Sequence, residues 1–402
     1  MGSVLRPVIP ELGALVRESP GTLSLAQGMV GWAPPAGVLE ALQVHSAADG
    51  TAGSSPERDG YGAVQGDPEL LKALAESLRE NNHLDLDGGT QLVTAGSNMG
   101  FHALAQVLCE DTATGRSEII LPLPYYFNHV MAIQLAGGVP VVVDAGLVPD
   151  VERLAGAITA RTRAIVTVSP NNPSGVVMPR ATLEAINTLC ARHGLIHISD
   201  EAYGDFVYGR EPHWSPGSRP GSAAHTVTLQ SLSKAYGMAG WRIGFMAVPQ
   251  ALAAALAQVQ DTVLICPPRL MQRAALAALQ AGPAWCAPRI ADLAERRLQL
   301  LRAVAREQAM GLPITILGQP DGAFYVLLQI QSAAFSGDSL MRKLVLEHQV
   351  ATLSGESFGL EPHRHGAVLR LSYGLLSAAE LAEALRRLFC GVRALLRQRR
   401  EQ

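Results

Sequence analysis

Short apolar runs alternate with longer amphipathic segments between about residues 90 and 250 of this chain. The apolar runs are TQLVTAG, SEIILPLP, VPVVVDA, RAIVTVSP, LIHISDEAY, HTVTLQS and IGFMAVP. Between several of them lie segments with apolar residues three and four apart, such as NMGFHALAQVLCED and RATLEAINTLCARHG. This alternation predicts an α/β fold, a mostly parallel sheet covered by helices on both faces.

The pattern changes after about residue 250 and predicts a second domain. Long helical segments there are mixed with the strands PITILG, AFYVLLQI and AVLRLSYG. We predict an N-terminal arm over residues 1–40, a large domain over 41–280 and a smaller α+β C-terminal domain over 281–402. The arm is rich in Gly and Pro and is expected to be extended. An alanine-rich helix starting near Gln250 should join the two domains.

Polar residues follow several of the predicted strands. Ser97, Asn172, Asp200 and Lys234 each come at or just after the end of an apolar run. Binding sites in sheets of this kind gather at the carboxyl ends of strands. These residues are therefore expected to lie near one another.

The composition makes one of these residues stand out. The 402 residues include 32 basic ones, of which only Lys72, Lys234 and Lys343 are lysines. Lys72 and Lys343 lie in amphipathic helical patterns, typical of solvated side chains. Lys234 lies in SLSKAYGMAGWRIGF, among small hydroxyls and glycines. Lysine, unlike arginine, can lose its proton and attack a carbonyl, so Lys234 is the first candidate for chemistry.

Charge and cysteine content exclude several classes of protein. A net charge of −3 argues against a general nucleic-acid partner. Five cysteines with no close pair favour reduced thiols over a disulfide or zinc framework, and the scattered histidines, His129 among them, lack metal-ligand spacing. The N-terminus lacks the apolar run of a signal peptide, and no stretch looks like a membrane span. We expect a cytoplasmic protein with no metal.

A lysine that reacts with pyridoxal phosphate needs partners of defined chemistry. The phosphate requires backbone amides at a helix start, hydroxyls and an arginine. The pyridine nitrogen requires a carboxylate that keeps it protonated. Asp200 ends an apolar strand, and Ser231 and Arg242 lie three residues before and eight residues after Lys234. All required residue types are present.

The chain resembles the fold-type I, pyridoxal-phosphate-dependent aminotransferases of class I/II over nearly its whole length. The similar stretches, in order, are LAQGMVGWAPP, YGAVQGDPEL, VTAGSNMG, LPYYFNH, SPNNPSG, DEAYGDF, SLSKAYGMAGWRIGF, PDGAFYVLL and VLRLSYG. The chain differs at SGESFG, where Ser354 and Gly355 replace a proline-glycine pair common in the family.

The resemblance implies a role for each matching residue. Lys234 would bind the cofactor covalently and move the proton, Asp200 would pair with the ring nitrogen, Asn172 and Tyr203 would bond the ring hydroxyl, and Tyr126 would stack on the ring. Tyr61 would reach the phosphate of the other subunit, which implies a homodimer. The implied catalytic residues are Lys234, Asp200 and Tyr203. The implied cofactor-binding residues are Tyr61, Ser97, Asn98, Tyr126, Asn172, Asp200, Tyr203, Ser231, Ser233, Lys234 and Arg242.

The implied substrates are an amino acid and a 2-oxo acid. Arg370 would hold the substrate carboxylate beside Gly28 and Asn172. The stretch LAQGMVGWAPP, which contains Trp32, is similar to the branch of the family typified by methionine and aromatic amino-acid aminotransferases. Trp32 and Phe324 would then form an apolar wall for the substrate side chain. Arg269 is the competing candidate, since a dicarboxylate substrate would need a second cation. A lyase or oxidase using the same site, and a regulatory module, stay open as alternatives.

Overall fold

The fold comes from a computed structural model, which describes residues 4–5, 8–47, 59–109, 111–112, 115–209, 212–332 and 334–398. In chain order, the strands of these residues are β1 (Leu23–Ser24), β2 (Gly89–Thr94), β3 (Asp111–Thr112), β4 (Gly115–Arg116), β5 (Glu118–Pro122), β6 (Val139–Val143), β7 (Thr162–Val168), β8 (Ile196–Asp200), β9 (Thr226–Ser231), β10 (Gly244–Pro249), β11 (Ile314–Leu317), β12 (Tyr325–Ile330), β13 (Val350–Ala351), β14 (Leu353–Ser354) and β15 (Ala367–Ser372).

The helices include one long helix that is broken in the middle. In chain order, the α-helices of the described residues are α1 (Val8–Glu18), α2 (Ala36–Ala47), α3 (Pro68–Asn82), α4 (Ser97–Leu108), α5 (Phe127–Leu135), α6 (Val151–Gly156), α7 (Arg180–His193), α8 (Gln250–Leu264), α9 (Arg269–Ala309), α10 (Gly337–His348), α11 (Pro362–His365) and α12 (Ala378–Gln398). In α9, Gly282 has non-helical dihedrals, with φ at 66°. Pro283 follows it, so the two halves of α9 meet at a kink.

A seven-stranded sheet forms the centre of the large domain. Its order is β2-β10-β9-β8-β7-β5-β6, and only β10 runs antiparallel to its neighbours. Helices α4, α5 and α8 cover one face with a core that includes Phe101 and Leu256. Helices α6 and α7 cover the other face through Leu154 and Ile186. The predicted α/β fold with a mostly parallel sheet is confirmed.

The C-terminal part of the chain forms a smaller antiparallel sheet. Its order is β11-β12-β15-β14, and α10 packs against β15. Strand β12 starts at Tyr325 and β15 carries Arg370, which pairs with Leu327 on one side and Leu353 on the other. The smaller C-terminal domain is therefore present, while the boundaries at residues 40 and 280 stay predictions.

The prediction of an extended N-terminal arm is wrong over Val8–Glu18, which form helix α1. Val8, Leu12 and Leu15 are spaced three and four apart, so they form one apolar face that packs into the main core. Beyond α1, β1 pairs in parallel with β13. This pairing joins the arm to the C-terminal part of the chain.

None of the helices formed by the described residues is long and apolar enough to cross a membrane.

Candidate active site

A cavity opens at the carboxyl ends of strands β2, β7, β8 and β9. These strands point in the same direction, so the polar residues that follow them meet at one edge of the sheet. All the predicted cofactor-binding residues except Tyr61 line this cavity. Its lining residues are Ser97, Asn98, Tyr126, Val168, Asn172, Asp200, Ala202, Tyr203, Ser231, Ser233, Lys234, Ala239 and Arg242.

The amine of Lys234 projects into this cavity from the loop after β9. Its Nζ donates to the backbone oxygen of Gly28 over 2.6 Å and lies 5.5 Å from the centre of the Tyr203 ring. Burial lowers the pKa of Lys234 to about 8, and the positive charges of Arg370 and Arg242 act in the same direction. The amine can therefore reach its neutral, nucleophilic form near physiological pH.

The carboxylate of Asp200 is buried at the end of β8 and is held by a histidine. His129 Nε2 lies 3.1 Å from Asp200 Oδ2, and the amide of Ala202 donates to Oδ1 over 3.1 Å. The His129 ring stacks on Phe101, with 4.0 Å between ring centres. In the sequence His129 stood out only as one of the scattered histidines, and its contact with Asp200 was not predicted. The LPYYFNH stretch contains it, three residues after Tyr126, and this was the available signal.

The start of helix α4 faces the same cavity. Its first residues are Ser97 and Asn98, and Gly96 before them has φ at 84°. A Cβ at Gly96 would lie 2.5 Å from Arg242 Nη2, so only glycine lets the guanidinium approach this backbone. Free backbone amides, an arginine and the hydroxyls of Ser231 and Ser233 thus surround one region, which suits a phosphate.

Arg370 lies on the small sheet, is 2% exposed, and adjoins the cavity through Asn172 without being one of its lining residues. Its Nη1 donates to Asn172 Oδ1 over 2.8 Å, and its Nη2 donates to the backbone oxygen of Ala26. Its Nε is buried without a partner. A buried guanidinium with unused donor capacity is suited to a carboxylate, which accepts two parallel hydrogen bonds.

Two aromatic rings flank the Arg370 guanidinium. It lies 4.5 Å from the centre of the Tyr325 ring and 5.2 Å from that of Phe358. Neither ring was singled out in the sequence, although both lie in stretches that were quoted. Phe324, expected as a wall of the substrate pocket, is fully buried and packs edge-on against Tyr203. Tyr325 is equally buried and also packs edge-on against Tyr203, so neither ring lines the cavity.

Gly28 and Trp32, the two predicted substrate-binding residues from the N-terminal part of the chain, are absent from the lining of the cavity. Gly28 bonds Lys234 through its backbone, and a Cβ there would overlap the hydroxyl of Tyr325. Trp32 is partly exposed, stacks with Phe206 at 6.4 Å, and donates its indole N–H to the oxygen of Ala235. Because that N–H is already bonded, the remaining surface of Trp32 is apolar.

Tyr61 is absent from the lining of the cavity and is 80% exposed. The amide of the next residue, Gly62, donates to the sulfur of Cys266 over 3.3 Å. The segment is therefore held to the residues just before α9, and the Tyr61 side chain is exposed and outside its own cavity.

The residues of the cavity fit pyridoxal phosphate. The cofactor needs an amine, a carboxylate for its ring nitrogen, donors for its ring hydroxyl and an anion site for its phosphate. These four needs are met, in the same order, by Lys234, by Asp200, by Asn172 with Tyr203, and by the start of α4 with Arg242. Because Gly96 has no Cβ, the space above its backbone stays open for Arg242.

Comparison with known proteins points to the same chemistry. Residues 23–388 match the family model described as aminotransferase class I and II. An aromatic aminotransferase of Arabidopsis thaliana is 31% identical over 403 residues, covering 97% of this chain and 94% of that protein. An aspartate/prephenate aminotransferase of Thermus thermophilus is 34% identical over 371 residues, covering 90% and 84%.

Among solved structures, the fold is similar to that of the aspartate aminotransferase from Thermus thermophilus with maleate. The TM-score is 0.84 at 31% identity, and the match covers 97% of this chain and 98% of that one.

Proposed function

Because the chain belongs to the aminotransferase class I and II family and is a pyridoxal-phosphate-dependent transaminase, we propose that its amino donor is an aromatic or other apolar amino acid. Methionine and phenylalanine represent this class. The acceptor is a 2-oxo acid. The observation that carries the proposal is the small number of cations at the cavity: Lys234 and Arg242 in its lining and Arg370 beside it, all of which our assignment uses for the cofactor and the α-carboxylate.

The cofactor, when bound, supplies a carbonyl that reacts with amines and a ring that accepts electrons. In our proposal Lys234 holds it through Nζ, and the same amine later takes the proton from the substrate α-carbon and returns it. The carboxylate of Asp200, oriented by His129, keeps the ring nitrogen protonated. Asn172 and Tyr203 bond the ring hydroxyl.

Arg370 binds the substrate carboxylate in this proposal. Its fixed position between Asn172 and Ala26 orients the α-carbon toward Lys234, and burial keeps competing water away from the ion pair. A bidentate bond to a carboxylate is a task for which lysine is a poor substitute.

The distal part of the substrate would meet an apolar surface. The basic residues at the cavity are Lys234 for the cofactor, Arg242 for the phosphate and Arg370 for the α-carboxylate. The described lining residues therefore offer no further cation for a second carboxylate. Trp32 presents an apolar face, which suits a ring or a thioether.

One observation favours a dicarboxylate as the competing donor. A Cβ at Gly62 would lie 3.4 Å from Cγ of Arg269, so Arg269 packs beside the Tyr61 segment. If Tyr61 contacts the cavity of the other subunit, its neighbour Arg269 also lies close to that cavity. The family includes relatives named for aspartate/prephenate as well as for aromatic amino acids.

We also propose that the active enzyme is a homodimer in which Tyr61 completes the phosphate site of the other subunit. Tyr61 is the most exposed of the large hydrophobic side chains in the described residues. Met29, Leu42, Trp241 and Met271 line an open apolar groove near the cavity, which a second copy would cover.

A donor screen tests the substrate class. Wild type and Arg269→Gln are assayed with all proteinogenic amino acids and several 2-oxo acids, and kcat/KM values are compared. We expect methionine or an aromatic amino acid to be the best donor in both proteins. If aspartate or glutamate is best in wild type and Arg269→Gln loses that preference selectively, the donor is a dicarboxylate.

A further inference from the structure

Tyr325 contacts three parts of the site that have different tasks. Its hydroxyl lies 2.7 Å from the hydroxyl of Tyr203, and its ring lies 4.5 Å from the guanidinium carbon of Arg370. The same hydroxyl packs against the α-carbon of Gly28, whose backbone oxygen accepts from Lys234. Tyr325 itself is 0% exposed.

We propose that Tyr325 is a positioning residue that fixes the direction of the Tyr203 hydroxyl proton and thereby tunes the cofactor. This inference rests on the role proposed above for Tyr203. Either hydroxyl of this pair could donate. In this proposal Tyr325 is the donor and Tyr203 the acceptor, so the proton of Tyr203 is left to point into the cavity, where the ring hydroxyl of the cofactor would accept it.

The position of the two hydroxyls supports this assignment. Tyr203 lines the cavity and Tyr325 does not, so Tyr203 is the one whose proton can turn toward a bound ligand. Burial raises the pKa of both tyrosines, so both hydroxyls keep their protons over the working range of pH. No Cβ is present at Gly28 to displace this hydroxyl. Neighbouring hydroxyls that share a hydrogen bond in a water-poor site polarise each other, which strengthens the second bond of the pair.

The second contact of Tyr325 joins it to substrate binding. The guanidinium of Arg370 lies over the rings of Tyr325 and Phe358. A cation over an aromatic face is stabilised, and the ring restricts where the guanidinium can move. One buried side chain thus positions both the residue that bonds the cofactor hydroxyl and the residue that holds the substrate carboxylate.

The test uses the holoenzyme and the pH midpoint at which the visible absorbance of its bound cofactor changes. Tyr325→Phe removes the hydroxyl and keeps the ring under Arg370. We expect the midpoint to rise by about half a unit or more, because one hydrogen bond that supports the ionised ring hydroxyl is weakened. Tyr203→Phe should raise it further.

A double-mutant cycle tells a positioning role from a general structural one. If Tyr325 acts through Tyr203, the variant with both changes should have the midpoint of Tyr203→Phe alone. The matched control is Tyr373→Phe, another fully buried tyrosine, whose hydroxyl bonds the oxygen of Ala323. It should leave the midpoint unchanged.

The outcomes separate this inference from the proposed function. A midpoint that stays unchanged in Tyr325→Phe, or effects of the two changes that simply add, would overturn the role of Tyr325 alone. No shift in Tyr203→Phe would overturn both this role and that of Tyr203.

Tyr325→Leu also removes the ring under Arg370, and we expect a KM for the amino acid several-fold above that of Tyr325→Phe with a similar midpoint. Equal KM values in the two variants would overturn the contact between the ring and Arg370 as a functional one.

Discussion

Arg370 and Asn172 are 198 residues apart in the chain, and a hydrogen bond of 2.8 Å joins their side chains. Arg370 lies on β15 of the small sheet, while Asn172 follows β7 of the large sheet. The bond therefore connects the residue that would hold the substrate carboxylate to one that would contact the cofactor. Tyr325 makes a second connection of this kind, because it contacts both Arg370 and Tyr203.

Replacing Lys234 by alanine should abolish covalent cofactor binding while leaving the fold intact. The purified wild-type protein is expected to be yellow, and borohydride reduction followed by peptide mapping should find the cofactor on Lys234. Lys72→Ala is the matched control, because Lys72 lies on α3 outside the cavity. Cofactor fixed to Lys72 or Lys343 in the wild type would show that the assignment is wrong.

The amine of Lys234 should titrate near pH 8. Below that pH the amine is protonated and cannot attack a carbonyl, so the rate at which the apoenzyme binds pyridoxal phosphate covalently should rise with pH through about 8. Arg370→Gln removes a nearby positive charge that lowers this pKa, and should move the midpoint upward. The rate of covalent binding is measured for both apoenzymes, at each pH, by visible absorbance after stopped-flow mixing with pyridoxal phosphate. A midpoint in wild type that is not below that of Arg370→Gln would contradict the electrostatic cause.

Replacing Asp200 by alanine should slow removal of the α-proton by about three orders of magnitude or more, a loss of roughly 4 kcal/mol of transition-state stabilisation. Without the carboxylate, the charge that keeps the ring nitrogen protonated is absent. Single-turnover kinetics with a deuterated donor measure the step itself. His129→Asn is a useful comparison, since it keeps the carboxylate and removes the histidine that orients it, and should cost less. Near-normal rates in Asp200→Ala would exclude the proposed role.

Arg370→Lys should raise the KM for the amino acid by about 10- to 100-fold, because lysine cannot form two parallel hydrogen bonds to a carboxylate and a charged hydrogen bond contributes roughly 1.5 to 3 kcal/mol. The affinity for the cofactor should change little, since the proposed partner of Arg370 is the substrate carboxylate. Amine substrates that lack a carboxylate provide the control, because their KM should not depend on this substitution. A similar increase for such amines would indicate a general distortion of the site.

Mixing two inactive variants should restore activity if the sites are composite. Tyr61→Phe and Lys234→Ala each damage a different part of the site, so a hybrid dimer contains one cavity with both residues intact. Partial recovery of activity after the two proteins are denatured and refolded together is the expected result. Sedimentation of a fully active monomer, or no recovery when hybrid dimers are shown by mass, would contradict the shared site.

The sequence alone determined where the strands of the large domain lie along the chain and that helices alternate with several of them. The apolar runs that begin at residues 90, 117, 139, 163, 195, 225 and 243 all contain strands of the sheet, because burial on both faces requires a continuous apolar segment. The positions of Asp200 and Lys234 followed from the same pattern, since each comes at or just after the end of such a run.

Tertiary structure decided which residues surround these groups. His129 meets Asp200 across 71 residues of sequence, and Tyr325 meets Tyr203 across 122. Such contacts depend on how α5 is rotated against the sheet and on which face of β12 a side chain occupies. Adjacent residues of a strand point to opposite faces, so the sequence did not show that Tyr325, next to Phe324, would lie against Arg370. The local pattern therefore specified the elements, whereas the packing between the two sheets selected the partners of each functional group.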